Sequence, residues 1–224
     1  MEIKRFTVKE KEVTFYPAEN GDRPLVVLNT YTGDGGLVMR TLRDMNCEDF
    51  NLLAIGNLNW DHDMTPWFCP PLSKNSPPCT GGADEYLGLL LSKILPKAME
   101  IVNGTPTHIG IAGYSLAGLF SLYAMYKCNV FERAASMSGS LWYPKFKEFV
   151  LKNPMEHMPD KLYLSLGDRE DKTRHPLLKT VRDNTEAIAE HYRRLDINTA
   201  FEINDGNHFK DETLRSAKGI MAII

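Results

Sequence analysis

No run in this 224-residue sequence stays apolar for the roughly 20 residues that a bilayer crossing needs. The first residues, Met1-Glu2-Ile3-Lys4-Arg5-Phe6, do not develop the apolar core of a secretory leader, so the expected location is cytoplasmic. Cysteine is scarce: Cys47, Cys69, Cys79 and Cys128 show no CxxC or other metal-ligand spacing. Cys69 and Cys79 share a Pro-rich loop and could pair, but idle thiols are expected in a reducing compartment. Excess charge is missing too. The formal net charge is −3, which gives no electrostatic footing on nucleic acid or an anionic membrane. The six histidines are scattered, which argues against a His-built metal site. Repeats, low-complexity tracts and linkers are absent, and the length suits one domain over 1–224. Nothing here fixes the oligomeric state.

What is present is an alternation of periods. Two short alternating segments, 3–8 and 12–16, flank Lys9-Glu10-Lys11 and predict an N-terminal hairpin. From Leu25 onward, β-rich runs alternate with helical patterns. The predicted strands are 25–30, 50–55, 108–112, 134–137, 162–166 and 200–203. The predicted helices run to about Met45, from Asp84 with a bend at Pro96, and over 116–126, 177–195 and 211–224. This is the pattern of an α/β fold, a mostly parallel sheet of about eight strands covered on both faces, with the hairpin as antiparallel edge. An irregular stretch, 57–82, interrupts it and holds Trp60, Trp67 and five of the thirteen prolines. Loops of this length inside a compact domain are often functional.

The central segment is His108-Ile-Gly-Ile-Ala-Gly-Tyr-Ser-Leu-Ala-Gly-Leu-Phe. An apolar strand runs into Gly113, then Tyr114-Ser115-Leu116-Ala117-Gly118, then a helix. Small residues flanking a serine on a strand-to-helix turn suit a nucleophile elbow, although Ala117 stands where the strict G-x-S-x-G pattern has Gly. The turn exposes Ser115 at the carboxyl edge of the sheet. The Leu116 N–H, at the helix N-terminus, then points to where an oxyanion would form.

A serine nucleophile needs a base, and on this fold the chain order is Ser, acid, His. His208, in the loop after the last strand, fits that order; the other five histidines fit it less well. The acid is expected after the penultimate strand, in Gly167-Asp168-Arg169-Glu170-Asp171. Hydrolases of this fold tend to place it three residues after the Gly, which favours Glu170 over Asp168. The second oxyanion donor is expected in the Gly-rich loop after the third strand, at Tyr31 with Thr32 next. Trp60 and Asp61 are expected to line the site, with Trp67 equally suited to anchoring its loop; Trp142 and Tyr143 are candidates for the opposite wall.

Taken in order, these segments resemble the "Putative esterase" branch of the α/β-hydrolases, which includes enterochelin esterases, feruloyl esterases and S-formylglutathione hydrolase. The resemblance rests on Asp63-Met64-Thr65-Pro66-Trp67, 81–87, 113–118, Ser138-Gly139-Ser140-Leu141-Trp142, Gly167 to Glu170, and Gly206-Asn207-His208-Phe209. It implies an α/β-hydrolase fold and hydrolysis of a small-molecule ester through an acyl-enzyme, with no metal or organic cofactor. It carries over Ser115 as nucleophile, His208 as base and Glu170 or Asp168 as acid. Some siderophore-ester members work with a Ser–His pair alone. The larger enterochelin esterases carry an extra N-terminal domain that this sequence lacks, so the resemblance does not extend to a siderophore substrate. Two rival readings are an acyltransferase on the same machinery and a non-catalytic binding scaffold.

Overall fold

The computed structural model describes residues 2–224. The strands are β1 (Lys4–Val8), β2 (Lys11–Tyr16), β3 (Leu25–Asn29), β4 (Asn51–Gly56), β5 (Phe68–Cys69), β6 (Cys79–Thr80), β7 (Ile109–Tyr114), β8 (Arg133–Met137), β9 (Lys161–Gly167) and β10 (Asn198–Asn204). The helices are α1 (Gly36–Asp44), α2 (Trp60–Asp63), α3 (Ala83–Leu89), α4 (Leu95–Met99), α5 (Leu116–Ala124), α6 (Phe146–Lys152), α7 (Val181–Arg194) and α8 (Glu212–Ile223). Eight strands form one sheet in the order β1-β2-β4-β3-β7-β8-β9-β10. The hairpin β1–β2 joins it antiparallel, and from β4 to β10 every neighbour is parallel. This is the mostly parallel eight-stranded α/β sheet expected from the alternation, in the α/β-hydrolase fold that the resemblance implied.

The sheet separates two apolar cores. Val27, Leu53, Ile111, Ala134 and Leu164 face the helices α3 to α7. Their neighbours Val26, Leu52, Ala112, Ala135 and Tyr163 face α1 and α8. Adjacent residues of each strand therefore serve opposite layers, which is why β3 and β4 read as continuous buried runs rather than as an in–out alternation. At the far edge β10 pairs on one side only, and its residues are partly exposed.

Three elements differ from the sequence expectation. The 57–82 stretch is built rather than irregular: it contains α2 and the antiparallel pair β5–β6. Trp67 fixes it to the body, donating Nε1–H to the Pro144 carbonyl at 2.8 Å and packing among Tyr123, Tyr143, Phe146 and Phe149. The helix from Ala83 does not simply bend at Pro96. It widens into a π turn over Leu90–Ile94, which accommodates a residue with no N–H to return to the preceding turn. Helix α6 was not anticipated, although Phe146, Phe149 and Val150 have helical spacing. All four cysteines are free thiols, with Cys69 facing Cys79 across β5–β6.

Candidate active site

Strands β7, β9 and β10 run parallel, so the loops leaving their carboxyl ends meet at one edge of the sheet. These loops carry Ser115, Glu170 and His208. Ser115 sits between β7 and α5 with φ 59° and ψ −121°, a conformation that costs a non-glycine residue about 1–3 kcal/mol. The surroundings hold it there. Its N–H donates to the Met137 carbonyl at 3.0 Å, and its carbonyl accepts from Ser140, Gly118 and Leu119 N–H at 3.0–3.1 Å. Close packing explains the small flanking residues. A Cβ on Gly113 would lie 2.4 Å from the Ala117 backbone, and one on Gly118 would lie 2.9 Å from Ser136 Oγ. Ala117 itself is fully buried and fits without displacement.

His208 Nε2 lies 3.0 Å from Ser115 Oγ, and its Nδ1 lies 2.7 Å from Glu170 Oε2. A carboxylate at Nδ1 places the proton of the neutral ring there and turns the Nε2 lone pair toward the serine. The imidazole loop is itself held: Tyr114 Oη donates to the His208 carbonyl at 2.7 Å. Ser140 Oγ stands 3.3 Å from Ser115 Oγ.

Glu170, not Asp168, faces the imidazole. Asp168 accepts the Gly206 N–H at 2.7 Å instead, closing the acid loop onto the loop that bears His208. Glu170 is buried and makes full use of both oxygens. Oε2 engages His208, while Oε1 accepts the Gly167 N–H at 2.6 Å and the Arg215 guanidinium at 3.1 Å. Burial alone would raise its pKa. Hydrogen bonding and charge from His208, together with the Gly167 N–H, outweigh burial and hold the carboxyl below the usual carboxylate range.

Arg215 was missed by sequence reasoning. Only 1% of its surface is exposed. Its Nη1 also donates to Ser138 Oγ at 3.0 Å and Tyr114 Oη at 3.3 Å, and its Nη2 to the Asp205 carbonyl at 2.9 Å. It therefore ties Tyr114 of β7, Glu170 and the loop bearing His208 together from α8. A signal existed: Arg215 is a charge in phase with the buried stripe Ser216, Gly219, Ile220 and Ile223.

Leu116 opens α5, where the first-turn N–H groups have no partner within the helix. Tyr31 lies in the turn after β3, 69% exposed, with its ring edge-on to Trp60 at 5.1 Å. No hydrogen bond among the described residues engages the Tyr31 N–H. Two lobes of one cleft open on either side of Ser115. The wider, about 670 Å³, is lined by Tyr31, Thr32 and polar side chains including Asp34, Arg40 and Glu212. The narrower, about 340 Å³, is lined by Leu116, Trp142, Leu72, Leu178 and Val181. Trp60, Asp61, His208 and Phe209 border both lobes. Phe209 is 78% exposed at the rim. Tyr143 belongs to the body rather than to the wall: it is buried, and its hydroxyl donates to the Trp67 carbonyl.

Residues 55–206 match the family described as "Putative esterase". The chain belongs to this esterase family. Ester hydrolysis is thereby its activity class. The matched stretch includes Ser115, Leu116, Glu170, Trp60, Asp61 and Trp142, while Tyr31, His208 and Arg215 lie outside it. Uncharacterized protein YbbA of Bacillus subtilis (strain 168) is 27% identical to the esterase over 181 residues, 74% of this chain and 71% of the relative. Among solved structures, the IroE-like serine hydrolase from Shewanella oneidensis superimposes with a TM-score of 0.78 at 18% identity, covering 98% of the esterase and 78% of that chain. Siderophore hydrolase EstA from Aspergillus nidulans gives 0.76 at 20% identity, covering 98% and 92%. The enterobactin esterase FES from Shigella flexneri gives 0.71 at 18%, covering 99% of the esterase and 59% of that chain. At these identities the likeness is one of fold. Among the described residues, no helix is long and apolar enough to cross a membrane.

Proposed function

We propose that the protein is a serine carboxylic-ester hydrolase of small molecules that works through an acyl-enzyme. The observation that carries this reading is the unbroken relay Ser115 Oγ–His208 Nε2 at 3.0 Å and His208 Nδ1–Glu170 at 2.7 Å. Ser115 Oγ attacks the ester carbonyl carbon as His208 Nε2 takes its proton. The carbonyl oxygen becomes an oxyanion, held by the Leu116 and Tyr31 N–H groups. When the C–O bond to the alcohol breaks, His208 returns its proton to the departing oxygen. Water then attacks the acyl-enzyme, giving its proton to His208. Collapse releases the acid, and the proton returns to Ser115. Glu170 stays ionised throughout and stabilises the imidazolium. Trp60, Asp61 and Trp142 bound the space that the substrate occupies.

A fluorophosphonate probe, with esterase assays on p-nitrophenyl butyrate, tests the reading. The wild type becomes labelled at Ser115 and loses activity in step. Ser115→Ala retains its fold, takes up no label and loses about 10⁴-fold or more in kcat. Hydrolysis of p-nitrophenyl butyrate by Ser115→Ala at the wild-type rate would refute the assignment. Product analysis with added alcohols separates hydrolysis from acyl transfer.

A further inference from the structure

The carboxylates around the cleft are almost all spoken for. Glu170 is held by His208 and Arg215, Asp168 by Gly206, and Asp34 by Arg5. Asp63, two residues from Asp61, is taken by Lys11 and the Asn59 N–H. Asp61 is different. No side-chain hydrogen bond or ion pair among the described residues engages its carboxylate, although it borders both lobes beside Ser115. Its backbone is fixed, with the Asp61 carbonyl accepting from Thr65 Oγ1 at 2.8 Å. Partial burial also pushes its carboxyl pKa upward, with no opposing charge to bring it down. A half-buried acceptor without a protein partner at a reaction centre is complementary to a donor that arrives with the substrate.

The lobes constrain the rest of that substrate. The narrow lobe presents Pro70, Leu72, Trp142, Leu178 and Val181 and offers an apolar group its best burial. The wide lobe has about twice the volume and carries polar and charged groups of both signs. We infer that the substrate is an ester joining a compact apolar half to a larger polar half, with an O–H or N–H donor next to the scissile bond that is read by Asp61. This rests on the esterase reading and deepens it by naming the substrate class and a specificity-determining residue. A hydroxyl and an ammonium share the donor chemistry, and the experiment separates them.

The test compares kcat/KM within two matched pairs. Glycerol monobutyrate against propyl butyrate adds hydroxyls, and alanine ethyl ester against ethyl propanoate adds an ammonium. Intrinsic ester reactivity cancels when each pair's ratio is compared between wild type and variant. In at least one pair, Asp61→Leu lowers the donor-to-reference ratio about 10- to 100-fold, the value of a hydrogen bond to a charged group. Asp61→Asn, which keeps the shape and one acceptor oxygen, preserves the ratio for a hydroxyl donor and loses it for an ammonium. Leu178→Trp, which narrows the apolar lobe, lowers the ratio of hexanoate to acetate turnover if the acyl half enters it, or of hexyl to ethyl ester turnover if the alcohol does. The inference is overturned if Asp61→Leu leaves both ratios unchanged, or if Leu178→Trp slows all chain lengths equally. Wild-type labelling at Ser115 by the fluorophosphonate, measured alongside, tells this failure from that of the esterase reading; absence of both labelling and turnover overturns both.

Discussion

Glu170 illustrates how a buried carboxylate is kept charged. Burial opposes ionisation, and the hydrogen bond and charge of His208, the Gly167 N–H and the Ser138 hydroxyl reverse the outcome. Sequence spacing already favoured Glu170 over Asp168, but only the structure shows what each contacts. Their substitutions therefore differ in kind. Glu170→Gln is expected to lower kcat by about 10³- to 10⁴-fold in steady-state assays, because the imidazolium loses its counter-charge. Asp168→Ala removes a half-exposed loop brace, the acceptor of the Gly206 N–H, costing about 1 kcal/mol in urea unfolding with a far smaller change in kcat. Arg215 supplies a third residue-level prediction. Arg215→Met breaks a buried, hydrogen-bonded charge pair, and equilibrium unfolding is expected to show a loss of about 3–5 kcal/mol. Arg215→Lys should recover part of it, since an ammonium keeps the charge but cannot reproduce the two-pronged geometry.

At the scale of elements, the β7–α5 turn depends on close approach of backbones. Gly113 has no room for a Cβ, because Ala117 main-chain atoms stand 2.4 Å from where it would be. Gly113→Ala must therefore push strand and helix apart, and both thermal stability and Ser115 labelling rate are expected to fall sharply. Ala117→Gly restores the strict motif and should leave labelling intact, at a helix-propensity cost of at most about 1 kcal/mol. The imperfect match at Ala117 thus has no structural consequence. The 57–82 segment teaches the opposite lesson. Its prolines and aromatics gave no periodicity to read, because its two-residue strands and four-residue helix are too short to show one. Its order comes from long-range contacts, chiefly those of Trp67 with α6 and the residues before it.

For the whole molecule, α8 closes one face of the sheet and brings the chain's end back to its middle. His108, buried before β7, makes this contact through Nε2 and the Ile223 carbonyl at 3.0 Å. Burial depresses the His108 pKa; the Ile223 carbonyl works against that shift, and Arg133 adds to it. A depressed folded value means that the unfolded chain binds the proton first. The stability contribution is full above the ordinary value of 6.5 and is lost as pH falls below it toward the folded value. Urea unfolding of the wild type is therefore expected to weaken between pH 7.5 and 5.5. His108→Gln retains a donor but no titration, and should lose less over that interval. The amino-acid sequence by itself determined the α/β alternation, the antiparallel edge, the tight serine turn after β7 and the chain order Ser115, Glu170, His208, because these reside in local period, small residues and chain order. The tertiary structure decided which carboxylate meets the imidazole, that Arg215 clamps that carboxylate from the last helix, and that the Asp61 carboxylate borders the cleft with no partner among the described residues. Those are juxtapositions of loops from distant strands, and local pattern carries no record of which side chains such loops bring within hydrogen-bond reach. Ser115 could be found from its own neighbours; the groups that would make it a nucleophile come from as far as 100 residues away, where Arg215 reaches Glu170.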